Sequence, residues 1–259
     1  PEASTEYCFC WANHPWTRSW DGKEHQILLE QTYGDKEDWE NHLQYLLKFF
    51  NDTRYIKIDN KPMFFIYAMC NIPNYEAMIE YWQNRLIEEG FAGIYVVEYI
   101  SSKNPRVFSR FTSAVYEDEP VYSARFQISC FEKAIRLFNK KMQRPDILDY
   151  DYIWEAILKK KATYGGRKII QGAFATWDNT PRRGNKGCTI FKGASPEKFK
   201  KYFTYLVNGN RKDRSKKYLV INAWNEWGEG AMLEPTEQYG YAYLDIVRDV
   251  ISSYNNVNI

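Results

Sequence analysis

Short apolar runs of β type alternate with longer helical patterns along this chain, and this alternation constrains its fold more than any other feature. Strand-like runs lie at residues 7–11, 63–67, 93–99, 113–117, 168–174 and 218–223. Helical patterns lie at residues 35–50, 75–89, 132–142, 150–161, 196–206 and 241–254. Near-continuous apolar strands alternating with helices are typical of a parallel sheet that is covered on both faces. The sequence therefore predicts an α/β fold of about six βα units, each strand being followed by a helix, with its chemistry at the carboxyl ends of the strands.

The composition excludes several classes of protein. A chain of 259 residues that is 44% apolar and 26% charged is long enough for a packed core and is not intrinsically disordered. A net charge of +2 gives no electrostatic reason to expect a nucleic acid or an anionic membrane as partner. No run approaches the roughly 20 apolar residues that a membrane span needs. We expect one domain over residues 1–259.

The cysteines and histidines give no sign of a metal or a disulfide framework. The five Cys are odd in number and lack the CxxC spacing of a zinc site, and the three His lack metal-like spacing. Reduced thiols in a reducing compartment are the favoured interpretation, so a bacterial cytoplasm is favoured over secretion. We expect no metal and no cofactor.

The most informative motif is WNEWGEG at residues 224–230, directly after the last strand-like run. Glu226 and Glu229 are three positions apart, so in a helical turn their side chains project on the same side. Retaining glycoside hydrolysis needs two carboxyl groups about 5–5.5 Å apart, and two close carboxyls can divide the acid and base roles. Trp224 and Trp227 would form platforms for a sugar ring, with Asn225 beside them. The alternative is a solvated loop.

Two further clusters carry residues that suit a sugar. The loop at residues 11–22 is unusually rich in aromatic and polar side chains for a loop. Its candidates for binding are Trp11, Asn13, Trp16, Arg18, Trp20 and Asp21. The candidates in WDNTPRRG at residues 177–184 are Trp177, Asp178, Asn179 and Arg182, with an arginine placed to hold an acid. The alternatives are tryptophans that pin the first loop to the body of the protein, and an Asx turn with an Arg–Asp bridge in the second.

The stretches CFCWANHPWTRSWDG, YIKIDNKPMFFIY, WDNTPRRG, WNEWGEGAMLEP and YGYAYL together resemble the WbsX family of polysaccharide-biosynthesis proteins. That family is related to the endo-α-mannosidases of glycoside hydrolase family 99. The resemblance implies a (β/α)8 TIM-type barrel that acts on glycosidic bonds without a metal. It also implies that Glu226 deprotonates the 2-hydroxyl of the sugar to give a 1,2-anhydro intermediate, and that Glu229 acts as general acid and then as general base.

The chain departs from the family pattern at three places. Asn13-His14-Pro15-Trp16 replaces an Asn-Glu-Asn-Trp sequence, and Gly228 stands where the hydrolases tend to have His. The family's opening segment, with a Pro-Gln-Phe-His-type motif, does not occur here. The expectation is an incomplete barrel that lacks its N-terminal strands.

Three functions remain open from the sequence. The first is a retaining enzyme that cleaves or transfers the glycosidic bond of an α-mannoside-type or O-antigen-type glycan, using Glu226 and Glu229. The second is a glycosyltransferase that uses a sugar nucleotide. The third is a non-catalytic barrel that binds glycans. In each case the partner is an oligosaccharide or polysaccharide.

Overall fold

The computed structural model describes residues 4–18, 23–101, 107–159, 164–184, 187–211 and 218–256. Contacts within the chain group into two compact units. The first comprises the described residues of Pro1–Arg18, Glu24–Tyr116 and Tyr164–Ile169, and the second those of Ser19–Lys23, Glu117–Thr163 and Ile170–Ile259.

The strands of the N-terminal part of the chain are β1 (Phe9–Trp11), β2 (Trp16–Arg18), β3 (Lys23–Leu29), β4 (Lys57–Ile58), β5 (Lys61–Ile66), β6 (Tyr95–Ile100) and β7 (Thr112–Glu117). Its helices are α1 (Lys36–Phe50) and α2 (Tyr75–Glu88), with a 3₁₀ turn at Met69–Asn71. Strands β1, β5, β6 and β7 are neighbours in that order, and both β1 and β6 run parallel to β5. Strand β4 pairs with β5 in the antiparallel direction, and β2 pairs with β3.

Helix α1 shows how a capping residue and an apolar stripe in the sequence form a helix of the core. Asp35 caps the helix, because its Oδ1 accepts a hydrogen bond from the Glu37 N–H at 3.0 Å. The buried residues of α1 recur at helical spacing and pack beside α2 and strands β1 and β5: Trp39, Leu43, Leu46, Leu47 and Phe50. The apolar stripe of the sequence is therefore the face of α1 in the core of the first unit.

The helices of the C-terminal part of the chain are α3 (Val121–Phe126), α4 (Cys130–Lys141), α5 (Tyr150–Lys159), α6 (Thr180–Arg183), α7 (Pro196–Arg211) and α8 (Ala242–Asn256). Its strands are β8 (Asp146–Asp149), β9 (Lys168–Phe174), β10 (Thr189–Lys192), β11 (Leu219–Asn222), β12 (Asn225–Glu226) and β13 (Ala231–Met232), with a 3₁₀ turn at Trp227–Glu229. Strand β11 runs parallel to β9, and β10 runs parallel to β8. In the core of the second unit, Trp154 stacks between Phe174 and Tyr202.

The six predicted strands are confirmed as β1, β5, β6, β7, β9 and β11, with shifts of a few residues at their ends. The sequence predicts a helix after β6 as well, but residues 102–106 of that connection lie outside the described residues. In the described part of the connection to β7, Ser101 and residues 107–111, there is no helix. Glu98 orders this connection, since its carboxylate accepts the N–H groups of Val107, at 2.8 Å, and Phe108, at 3.0 Å. Strands β8 and β10 were not predicted.

Candidate functional site

Two loops of the second unit meet because the parallel strands that precede them end at the same position in the sheet. Strands β9 and β11 are parallel, with Phe174 opposite Asn222 at their carboxyl ends. Beyond these ends, the Asp178 N–H donates to the Glu229 carbonyl oxygen at 2.9 Å. The Thr176 hydroxyl donates to the Gly230 carbonyl oxygen. These bonds join the WDNTPRRG loop to the WNEWGEG loop.

Gly230 makes this close approach possible. Its φ is +60°, in the left-handed region that favours glycine, and a Cβ there would lie 2.6 Å from the Asp178 carbonyl oxygen. Any side chain at this position would push the two loops apart. Gly230 also ends the 3₁₀ turn at Trp227–Glu229.

The two glutamates lie on a small hairpin. Asn225–Glu226 pairs antiparallel with Ala231–Met232, and the 3₁₀ turn lies between these strands. Glu226 ends the first strand of this hairpin and Glu229 ends the 3₁₀ turn, so one short turn separates the two carboxylates. The helical turn expected from the spacing is present at residues 227–229, and Glu226 immediately precedes it.

Arg182 of α6 contacts both carboxylates. Its Nη1 donates to Glu229 Oε1 at 2.8 Å, and its Nη2 donates to Glu226 Oε1. Because Nη1 and Nη2 belong to one planar guanidinium group, the two carboxylates face the same small volume. All three side chains remain partly exposed, at 36% for Arg182, 41% for Glu226 and 26% for Glu229.

Gly228 leaves room for that arginine. A Cβ at position 228 would lie 3.3 Å from Arg182 Nε and 3.3 Å from Nη2, which is closer than ordinary van der Waals contact. The glycine at the position where the related hydrolases tend to have His is therefore the residue against which the guanidinium lies.

Asp178 and Asn179 organise the loop that carries Arg182. Asp178 Oδ1 accepts the Thr180 N–H at 2.9 Å, which is an Asx turn. Asn179 is buried, and its Oδ1 accepts the Thr189 N–H at 2.7 Å. The Asx turn considered from the sequence is thus present. The role of Asn179 as a sugar ligand stays a prediction, and its side-chain oxygen already accepts a hydrogen bond from the backbone.

The three tryptophans of these loops have different environments. Trp224 and Trp227 are about half exposed, and Trp227 Nε1 donates to Glu234 Oε2 at 2.6 Å. Trp177 is buried and stacks on Phe191, so the structure makes it a core residue and not a sugar platform. Sequence reasoning did not single out Glu234, although it lies within the WNEWGEGAMLEP stretch.

The described candidates of the first loop, within residues 11–18, belong to the first unit. Trp11 packs edge-on against His42 with ring centroids 4.7 Å apart, in an apolar cluster. Asn13 is fully buried, and its amide exchanges two 2.7 Å hydrogen bonds with the Ala68 backbone, which corrects its prediction as a substrate ligand. Trp16 is exposed, and Arg18 Nη1 lies 3.5 Å from Gln26 Oε1. The predicted ligands Trp20 and Asp21 lie outside the described residues.

Within the described ranges, no cluster of three or more His, Cys, Asp or Glu side chains is arranged to hold a metal ion. Nor does any helix in that part of the chain have the length and apolar character needed to cross a membrane.

The model of the glycosyltransferase WbsX family matches residues 1–247. The chain belongs to the WbsX family. WxcX proteins from two strains of Xanthomonas campestris pv. campestris, B100 and ATCC 33913, are 27% and 28% identical to it over 252 residues. These matches cover 95% of the chain but 34% of each relative, so the chain spans about a third of the length of those proteins.

Solved structures show the fold of this WbsX member. A glycoside hydrolase-like protein matches with a TM-score of 0.55 at 18% identity, covering 85% of the chain and 62% of that protein. The GH99 endo-alpha-mannosidase from Bacteroides thetaiotaomicron matches with a TM-score of 0.50 at 15% identity and the same two coverages. The likeness confirms the predicted α/β class, an incomplete barrel of (β/α)8 type.

Proposed function

We propose that this chain carries the catalytic carboxyl pair of a carbohydrate-active enzyme that cleaves or transfers a glycosidic bond with retention. The observation that carries the proposal is the contact of one guanidinium, that of Arg182, with both Glu226 and Glu229. Glycosidic chemistry needs two carboxyl groups that act on one sugar, and this contact makes them face one volume. Membership of a glycosyltransferase family and the fold of a glycosidase agree with it.

In the proposed reaction, Glu226 takes the proton of the 2-hydroxyl, and that oxygen attacks the anomeric carbon. Glu229 gives its proton to the departing glycosidic oxygen, which leaves a 1,2-anhydro sugar. An acceptor hydroxyl, from water or a sugar, then loses its proton to Glu229 and opens the three-membered ring, and Glu226 returns the first proton. Two inversions at the anomeric carbon give net retention, and no covalent bond to the protein forms.

Arg182 is a positioning residue in this scheme. A general acid has to carry a proton, whereas an arginine partner stabilises a carboxylate. The role of Glu229 therefore requires Arg182 to release it when the substrate binds. The side chains of Trp224 and Trp227 supply exposed aromatic faces next to the pair, which is suited to packing against a sugar ring.

The test replaces each glutamate by glutamine in the full-length protein and measures turnover of α-mannan and O-antigen-type oligosaccharides. We expect each of Glu226→Gln and Glu229→Gln to lower turnover by about 10²- to 10⁴-fold, the usual contribution of a general acid or base. Glu237→Gln is the matched control, because Glu237 is exposed and lies in the same region of the chain. Unchanged turnover in both active-site variants would overturn the proposal.

A glycosyltransferase that uses a sugar nucleotide is the second candidate, and the family description favours it. Saturation-transfer NMR separates the two, since binding of a nucleotide sugar in preference to free oligosaccharide supports the transferase. Glycan binding that survives both glutamate changes in a protein without turnover would instead indicate a binding module.

A further inference from the structure

Helix α4 turns its apolar side to solvent. Phe131, Ile135, Phe138 and Met142 recur at helical spacing and are all exposed, Phe131 at 73% and Phe138 at 54%. No residue of α4 is buried. An ordinary amphipathic helix buries its apolar face and exposes its charged face, so this orientation is the reverse of the usual one.

The basic side of the same helix lines a cavity of about 570 Å³ in the second unit. Lys133, Arg136 and Lys140 of α4 face it, together with Arg125 of α3 and Arg183 of α6. Asp146 is the one carboxylate among the described residues that line the cavity. Five cationic side chains and one anionic side chain therefore surround one volume.

Asp146 offsets only one of the five cationic charges, that of Arg136, so the lining keeps a net positive charge. It pairs with Arg136, whose guanidinium also donates to the Ala124 carbonyl oxygen and so ties α4 to α3. The ammonium group of Lys133 lies 3.5 Å from the Phe126 carbonyl oxygen. Like charges gathered around a recess raise the free energy of the empty site, and an anion in the recess would relieve their repulsion.

We infer that this cavity binds the diphosphate group of a ligand. The charge balance of the lining suits a group with two or three negative charges, and arginine and lysine are the side chains that proteins use for phosphate oxygens. The volume lies in the range of small-molecule sites and leaves space beyond the phosphates. Phe126 and Leu137 in the lining offer apolar contact to the remainder of such a ligand.

Two consecutive residues link the cavity to the carboxylate pair. Arg182 contacts Glu226 and Glu229, and the following residue, Arg183, lines the cavity. Helix α6 therefore connects the two features. The inference does not rest on the proposed glycosidic chemistry, since it follows from the charges and shape of the lining alone.

Isothermal titration calorimetry with inorganic pyrophosphate tests the inference, with sulfate and orthophosphate as comparison anions at the same ionic strength. We expect pyrophosphate to bind at least tenfold more tightly than sulfate. Arg125→Ala, Lys133→Ala and Lys140→Ala should each weaken binding about fivefold or more, the effect of one screened charge at contact distance. Lys140→Arg should retain binding, because it keeps the charge.

Lys141→Ala is the matched control, since Lys141 is the next residue on α4, is exposed and does not line the cavity. Equal binding of pyrophosphate and sulfate, or equal weakening by Lys140→Ala and Lys141→Ala, would overturn the inference. Titration with UDP identifies the source of the group: tighter binding than that of pyrophosphate indicates a nucleotide, and equal binding a diphosphate on another carrier. Glu226→Gln should leave pyrophosphate binding unchanged, so this inference and the proposed function can fail separately.

Discussion

The guanidinium of Arg182 occupies the space that a side chain at Gly228 would need. A Cβ at that position would approach Arg182 Nε and Nη2 to 3.3 Å, while the same guanidinium holds the carboxylates of Glu226 and Glu229. The identity of residue 228 and the arrangement of the carboxyl pair are thus linked through one arginine.

We expect replacement by alanine to have different effects on stability at Gly228 and at Gly230. Gly230→Ala should lower the free energy of unfolding by about 1–3 kcal/mol, because φ is +60° and the new Cβ would meet the Asp178 backbone. Gly228→Ala should cost less than about 1 kcal/mol, because the three atoms nearest to the new Cβ all belong to the end of the flexible Arg182 side chain. Urea unfolding of both variants checks this, and equal losses would contradict it.

The activity of Gly228→Ala should fall even though its free energy of unfolding changes little. The guanidinium has to move by a few tenths of an ångström, so we expect turnover to drop by about threefold to tenfold, less than the roughly 10²-fold that a 1 Å misplacement can cause. Kinetics on the glycan identified with the glutamate variants measure this drop. Full activity of Gly228→Ala would show that the position of Arg182 is unimportant.

Replacement of Arg182 separates its effect on activity from its effect on the free energy of unfolding. Arg182→Ala should lower kcat/KM by roughly 10²-fold, because Glu226, the proposed base, loses the guanidinium group that orients it. It should change the free energy of unfolding by no more than about 1 kcal/mol, as expected for partly exposed ion pairs. Guanidinium ion added to the assay should restore part of the activity, which a purely structural defect would not allow.

Arg110→Ala is the matched control for that variant. Arg110 also bridges two exposed carboxylates, Glu76 at 3.4 Å and Glu80 at 2.7 Å, but it does so in the first unit. It should leave turnover unchanged. A similar loss of activity in both arginine variants would indicate a general effect of removing exposed ion pairs.

The sequence predicted those parts of the fold in which local chemistry and tertiary environment agree. The Asp35 cap, the apolar stripe of α1 and the six strands each carry their own periodicity or capping residue. The β8–β10 pair was missed because its strands are four residues long and more than 40 positions apart, so no local pattern reports their pairing.

The roles of single loop residues were harder to predict than the elements. Trp177 and Trp227 both follow strand-like runs, yet one is in the core and the other is half exposed. Asn13 and Asn179 have the residue type of a sugar ligand, but each is buried and bonded to backbone. Residue type identifies the polar groups that a loop brings, whereas only the packing decides whether they face a ligand or the protein.

The two tryptophans should accordingly respond in opposite ways to replacement. Trp177→Ala should lower the free energy of unfolding by about 3–5 kcal/mol, since it removes a buried ring that stacks on Phe191. Trp227→Ala should cost less than about 1 kcal/mol but weaken glycan binding by about fivefold or more. Urea unfolding and titration with an oligosaccharide measure the two effects, and loss of stability in Trp227→Ala would contradict its assignment as a platform.

The stability of the folded chain should depend on pH through the buried ring of His42. Burial lowers the pKa of His42 to about 4 from its ordinary value of 6.5, and its ring packs against Trp11 and Trp82. The unfolded chain therefore binds a proton on this histidine between pH 6.5 and 4 that the folded chain does not bind. Neutral His42 contributes fully to the free energy of unfolding above pH 6.5. This contribution is lost as the pH falls, by up to about 3 kcal/mol at pH 4.

Side-chain hydrogen bonds from Arg85 lower the pKa of Glu40 from 4.5 to about 2, so the contribution of Glu40 to the free energy of unfolding declines only below pH 4.5. Urea unfolding from pH 7 to pH 4.5 should thus report mainly on His42, and His42→Phe should flatten that part of the profile. A wild-type profile that is already flat there would show that the folded protein admits the charged imidazole.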